Sequence, residues 1–512
     1  MSLFYSNPNL IIINPLITFF KPNLPFFMSF SDHLLSTSQD DKPYSTLSLQ
    51  QKSVYLKEIM INSLPTIAAF MTPVFTTIVS IYFMTKYNND ALVAGYGLGA
   101  MFSGAFGLAW IISFNQSVNV HVSKAFGAQD YEGCARYFRR NLVLLAIFML
   151  PLLVSLLVAD KIMMFFGIKE ELASIAGQFT KLSTLFMGGS ILFDTMKCFV
   201  IAQKVFHPIL YIQLFTLGLH ILWSKIFIDV LEMGIVGAVI CKILEEWANT
   251  ALIYGYIKKS GKFTQTWGAW TKDIFDVQEL WKQFKFGCSI GIISYGQWVF
   301  YELLTLIAGN FDESQVVAHI AIGNISSFHY TFSLAVSVTM LTFLGNNLGE
   351  RKLNRAKNYM WASFTLLGIQ TVVYWFFAFF ARYSWVEFWS NEPVTQGYLL
   401  ETLQIYTFGC LLVDAINNGF IATLKTVGKE KRTIANVMTT MYLVGAPLIM
   451  LFAFGFDMKV KGIWLAFGLA SFVLLGVNIK AFLKLDWKEI QNEVIRKTEQ
   501  GKIEETELGF IH

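Results

Sequence analysis

Charged side chains are scarce in this sequence. They make up 14% of its 512 residues, where a soluble globular chain carries about a quarter. That scarcity excludes a solvated surface over most of the chain. Cysteine is rare too, at positions 134, 198, 241, 288 and 410. No pair has CxxC spacing, so these residues read as small apolar groups in helices rather than as ligands or redox centres. No HExxH, Walker-type phosphate loop or GxSxG elbow occurs, and the common soluble catalytic motifs are therefore missing. On this reading no enzyme activity, cofactor or metal is expected. The net charge of +4 belongs to loops and is not a nucleic-acid surface.

What is present is apolar length. Hydrophobic residues make up 54% of the chain and the mean hydropathy is +0.51. Runs of about 20 apolar residues, each enough for a helix across a ~30 Å hydrocarbon core, recur along it. The sequence predicts an all-α polytopic membrane protein with twelve transmembrane helices. They fall at 59–84, 91–120, 140–159, 173–201, 209–229, 234–257, 286–308, 315–345, 358–381, 396–424, 433–455 and 461–483. Residues 1–58 are expected as a cytoplasmic N-terminal segment, since Pro15, Lys21, Pro22 and Pro25 interrupt its one apolar run. A linker at 258–285 and a tail at 484–512 complete the organisation, around bundles at 59–257 and 286–483. One set of loops holds most of the Lys and Arg, with Lys425 counted among them. The other set holds only Lys86, Lys161, Lys169, Arg382, Lys459 and Lys461. Basic loops stay cytosolic, so both termini are expected in the cytosol.

The halves repeat. "GGSILFDTMKCFVIA" around Asp194 aligns with "FGCLLVDAINNGFIA" around Asp414, and "FGAQDYEGCARYF" aligns with "LGERKLNRAKNYM". Six spans per half give both halves the same orientation, with a pseudo-two-fold axis along the membrane normal and a cleft between them.

Charged groups inside a bilayer are costly and need a partner or a task. In the first half, Lys197 follows Asp194 by three residues, and Lys242 precedes Glu245 and Glu246 by three and four, so both sets can pair on one helical face. The second half differs. No Lys or Arg lies between Lys285 and Arg351, or between Arg382 and Lys425. Glu302 and Asp414 therefore have no cationic neighbour on their own helices, and each is a candidate proton carrier. Gln297, Trp298, Tyr301, Asn417 and Asp194 are candidates for a substrate cleft, the two rings through attraction to an organic cation. His319 and His329 are read as hydrogen-bonded helix residues.

These residues resemble those of the multidrug and toxic compound extrusion (MATE) transporters, especially the eukaryotic branch. The resemblance runs from about Ser63 to Leu483. It rests on "KAFGAQDY" after span 2, "FVIAQKVFHP" with Gln203 and Pro208, His220, "GIVGA", Trp247, "SGKFTQTW", "YGQWVFYE" and "NNLGER". It implies a secondary antiporter that exports organic cations, drugs or metabolites by alternating access, in exchange for protons or sodium. A monomer embedded in lipid is expected, in the plasma membrane or an intracellular vesicle or vacuole membrane. This chain departs from the family pattern where the first acid of span 7 is Gln297, where an acid near the end of span 2 is Asn119, and where a glutamine is Lys124. Two alternatives share the architecture: a lipid or glycolipid flippase, and an uncoupled facilitator or channel.

Overall fold

The computed structural model describes residues 42–87 and 89–496. The expectations for residues 1–41 and for the end of the tail lie outside them. Among the described residues every regular element is helical. We number the long helices α1 (Leu49–Thr85), α2 (Ala91–Gly127), α3 (Tyr131–Leu157), α4 (Glu170–Ala202), α5 (His207–Val230), α6 (Gly234–Lys259), α7 (Val277–Ala308), α8 (Glu313–Gly349), α9 (Leu353–Phe380), α10 (Pro393–Gly409), α11 (Leu411–Thr426), α12 (Glu430–Gly455) and α13 (Lys459–Leu483).

Each of the twelve expected spans is helical, but they are not alike. Ten helices are long and apolar enough to cross a membrane, and α10 with α11 makes an eleventh, bent by 44°. The twelfth, α6, has 26 residues, enough for the length, but it carries Lys242, Glu245 and Glu246 at its centre. Several helices start before their apolar runs because polar caps set the boundary. The Ser48 hydroxyl accepts from Gln51 N in a capping box ahead of α1. Asp276 caps α7 at Glu279 N, 2.9 Å away. Such side chains satisfy backbone N–H groups that the first turn leaves without intrahelical partners.

The repeat is written into the backbone. Glu232 and Asp457 share a left-handed φ of 49° and 51°, and Gly234 and Lys459 share one of 54° and 52°. These are the turns ahead of α6 and α13. Within them, a Cβ on Gly237 would lie 2.7 Å from the Phe227 carbonyl oxygen, and one on Gly462 would lie 2.7 Å from that of Phe452. All four pairs are 225 residues apart, so the two halves make the same close turn.

The halves meet where α2 crosses α8. A Cβ on Gly127 would fall 1.9 Å from the Asn346 oxygen, one on Gly349 2.2 Å from the Lys124 oxygen, and one on Gly345 2.1 Å from Ser123 Oγ. Gly127 and Gly349 are repeat equivalents, as are Ser123 and Gly345. The pseudo-axis therefore passes through this crossing, and small residues let the backbones approach there. The crossing lies at the end of the bundle that carries the turns with Lys204, Arg351, Lys352 and Lys429, hereafter the basic end.

Hydrogen bonds between the halves cluster at that end. Asn346 Nδ2 donates to the Ala202 carbonyl at 2.8 Å, and Tyr359 Oη donates to Glu58 Oε2 at 2.6 Å. Lys204 pairs with Glu350 at 3.3 Å. Burial, which raises a carboxyl, is outweighed at Glu350 by Lys204 and Lys352, and the group lies below its ordinary value. At Lys204 burial wins over the same partner, and the ammonium lies below its ordinary value.

Candidate functional site

Two polar networks fill the interior of the N-terminal half. Asp194 pairs with Lys197 one turn along α4 and accepts from Asn115 Nδ2 at 2.9 Å. Asn141 Nδ2 and Thr195 Oγ1 donate in turn to Asn115 Oδ1, at 2.6 and 3.0 Å. Lys197 also lies over the Phe70 and Phe193 rings. On α6, Lys242 reaches Glu245 at 3.1 Å and Glu246 at 3.0 Å. His220 Nδ1 stands 3.1 Å from the same Glu245, while its Nε2 meets Ser80 Oγ at 3.1 Å. Helical spacing made the two ion pairs legible; the imidazole, from another helix, was not.

The C-terminal half is organised differently. Half-buried Asp414 accepts from Ser471 Oγ at 3.0 Å, and no cation among the described residues pairs with it. Asn417 Nδ2 donates to the Ser471 carbonyl at 3.0 Å, Asn478 to Asn417 at 3.1 Å, and Asn436 to Asn478 at 3.0 Å. Asn417 is thus a buried strut between α11 and α13. Tyr301 turns into the same bundle, its ring 5.1 Å from that of Phe467. His319 Nε2 bonds Thr305 Oγ1 at 3.2 Å, and His329 packs on Tyr374 at 5.0 Å.

Glu302 lies on another surface. Tyr295, Trp298 and Glu302 are three and seven residues apart and share one face of α7. Tyr295 stacks on Trp110 of the other half at 4.4 Å, so that face turns toward the N-terminal half. Trp298 and Glu302 are both exposed on it. Glu302 makes no hydrogen bond or ion pair within the described residues, and none joins it to Asp414. The two candidate acids occupy separate environments.

Between the halves lies a narrow cavity of about 20 Å³, room for about one water molecule in this state. Gln116 lines it from α2, Ser294 and Gln297 from α7, Tyr330 and Ser337 from α8, and Asn418 and Lys425 from α11. Of the seven residues singled out from sequence, only Gln297 lines it. Lys425 is the residue that sequence reasoning misplaced. It is not a loop cation but a member of the last turn of α11, only 4% exposed. Its Nζ donates to Gln116 Oε1 at 3.0 Å and to Ser294 Oγ at 2.9 Å. The signal that could have found it is its spacing. Asp414, Asn418, Ile421, Ala422 and Lys425 form one stripe of α11, and the last four line the cavity.

This architecture has known counterparts. A family model described as MatE matches twice, over residues 65–226 and 290–451, a shift of 225 residues, the spacing of the turn pairs. The Arabidopsis thaliana protein DETOXIFICATION 49 is 24% identical over 475 residues, 91% of this chain and 92% of that protein. DETOXIFICATION 1 of the same plant is 23% identical over 482 residues, 92% and 97% of the two chains. The crystal structure of the eukaryotic MATE transporter AtDTX14 superposes with a TM-score of 0.81 at 18% identity, covering 88% of this chain and 99% of that one. A duplicated helical bundle, two acids without counter-ions among the described residues and a cavity on the line between the halves thus coincide with a family model that covers well over half the sequence, and the chain belongs to the MatE family of membrane transporters.

Proposed function

We propose that this chain is a secondary antiporter that exports small organic solutes, drugs or metabolites, by alternating access in exchange for protons or sodium, with both termini in the cytosol. One observation carries the reading: Asp414 and Glu302 are acids of the C-terminal half that no cation among the described residues neutralises, in a bundle whose halves are joined at the basic end. A carboxyl without a counter-ion in low dielectric exists in two charge states that water or substrate can interchange. Asp414 sits at the head of the stripe that leads to the cavity. Glu302 stands on the face of α7 that turns toward the other half. Proton uptake at these positions would change the charge along the solute's path, which is the requirement for coupling the two flows.

The test uses purified protein in sealed vesicles under an imposed pH gradient, with a sodium gradient as the second arm. Antiport predicts solute accumulation beyond equilibrium. A channel or facilitator would only equilibrate it. Glu302→Gln is near-isosteric with the protonated acid, so this variant is expected to insert normally and to lose pH-driven accumulation. Wild-type rates in Glu302→Gln would remove Glu302 from coupling.

A further inference from the structure

The polarity of the cavity between the halves is opposite to what an organic cation requires. Among the described residues its lining contains no aspartate or glutamate, and its one basic group is Lys425. Asp414 belongs to the same helical stripe but stands eleven residues away, roughly 16 Å along the axis at 1.5 Å per residue. That separation is too great for an ion pair.

The lysine is not there by accident of reach. It lies one residue from the end of α11, where a lysine ordinarily stretches its ammonium to the aqueous rim. Side chains on a helix lean toward its N-terminus, and for α11 that direction leads away from the basic end. Lys425 follows this lean and meets Gln116, which is eleven residues inside the end of α2, and Ser294 in the middle of α7. Both partners are neutral. When protonated, the group has three N–H donors and one full charge, so its two hydrogen bonds to neutral partners then leave one donor and the charge without a counterpart. A buried charge is normally paired.

We infer that Lys425 is the recognition group for the carboxylate of a transported solute, and that the solutes admitted to this site when the halves part are small organic anions. The rest of the lining fits such a molecule. Leu334, Leu341 and Ile421 supply apolar walls, the Tyr330 ring lies beside them, and Gln297 offers an amide where the family pattern has an acid. A glutamate at that position would neutralise Lys425 from within; an amide leaves the charge available. A carboxylate arriving at Nζ would take the donor that Gln116 and Ser294 leave free. The inference rests on the transporter reading of the previous section but names a different solute class from the one expected from sequence.

The test is binding of radiolabelled p-aminohippurate, an aromatic monocarboxylate, against tetraethylammonium, with wild-type protein in lipid nanodiscs and protein-free discs as the blank. Wild type is expected to bind p-aminohippurate saturably, and Lys425→Arg to keep affinity within a few-fold. Lys425→Gln is expected to weaken binding at least tenfold. Ser294→Asp keeps the lysine and sets a carboxylate beside it, and it should weaken binding equally. No saturable binding by wild type, or unchanged binding in monodisperse Ser294→Asp or Lys425→Gln, overturns the inference. Gradient-driven accumulation of tetraethylammonium without p-aminohippurate binding would also overturn it while leaving antiport intact. Anion binding without gradient-driven movement of any solute would uphold the site and sink the antiport reading.

Discussion

Asp194 and Asp414 hold equivalent places in the two halves, and their neighbours give them different work. Lys197 is paired with Asp194, and the side chains of both are more than nine-tenths buried. Removing one partner of a buried pair strands the other, at a cost of ~3–5 kcal/mol. Asp194→Asn is therefore expected to lower detergent thermostability clearly. Asp414 accepts one hydroxyl bond, which an amide oxygen can also accept. Asp414→Asn should melt close to wild type but fail in pH-driven exchange. A stable but inactive Asp194→Asn beside an active Asp414→Asn would reverse the assignment. The pairing of Asp194 was legible because it is local, three residues along one helix. Lys425 was not, because a cation at the end of an apolar run reads as a rim residue. Only the contacts with Gln116 of the other half and Ser294 of α7 show which way it points. The same limit explains Asn417 and Tyr301, whose partners Ser471 and Phe467 come from a helix more than fifty residues further along.

At the scale of elements, the turns ahead of α6 and α13 invite a direct comparison. Both need a left-handed residue at the helix start, and the first half supplies Gly234 where the second has Lys459. A side chain in that conformation costs ~1–2 kcal/mol, while glycine gives back ~0.5–1 kcal/mol through the freedom of the unfolded chain. Lys459→Gly is expected to stabilise the protein by about 0.5–1 kcal/mol, seen as a higher apparent Tm in detergent. A lower Tm would mean that the Lys459–Asp312 pair, 3.4 Å apart and exposed, outweighs the backbone strain. The helices themselves were legible from apolar run length to within a few residues at most ends. The exceptions are the starts of α1, α3 and α7 and the end of α2, where polar residues outside the apolar run extend the helix. The break between α10 and α11 falls at Gly409–Cys410 inside one apolar run, and run length carries no trace of it.

For the whole molecule, the six-plus-six organisation and the repeat were readable from internal similarity, because duplication leaves identical residues at a fixed offset. The conformational state was not, since it depends on which surfaces of the halves touch. The Lys204–Glu350 pair joins them at the basic end. Glu350 lies below its ordinary value, so the link is intact above the ordinary carboxylate range and is lost as pH falls through the lowered value. Spin labels placed on either side of the basic end should report a longer mean distance in Glu350→Gln than in wild type at neutral pH. In wild type a similar lengthening is expected only on strong acidification. Equal distances in the two proteins at neutral pH would show that the pair does not bias the state.

The crossing of α2 and α8 has a mechanical meaning. Gly127 and Gly349 put the two backbones in contact at one end of helices that are each 37 residues long, or about 55 Å at 1.5 Å per residue. A contact of small residues can act as a fulcrum, and the helices as levers. A tilt of about 10° about it would carry the far ends roughly 9 Å apart over a lever of that length, while the glycines shift by a fraction of that distance. Bulk added at Gly127 or Gly349 would thus tell most at the opposite face of the bundle, far from the substitution.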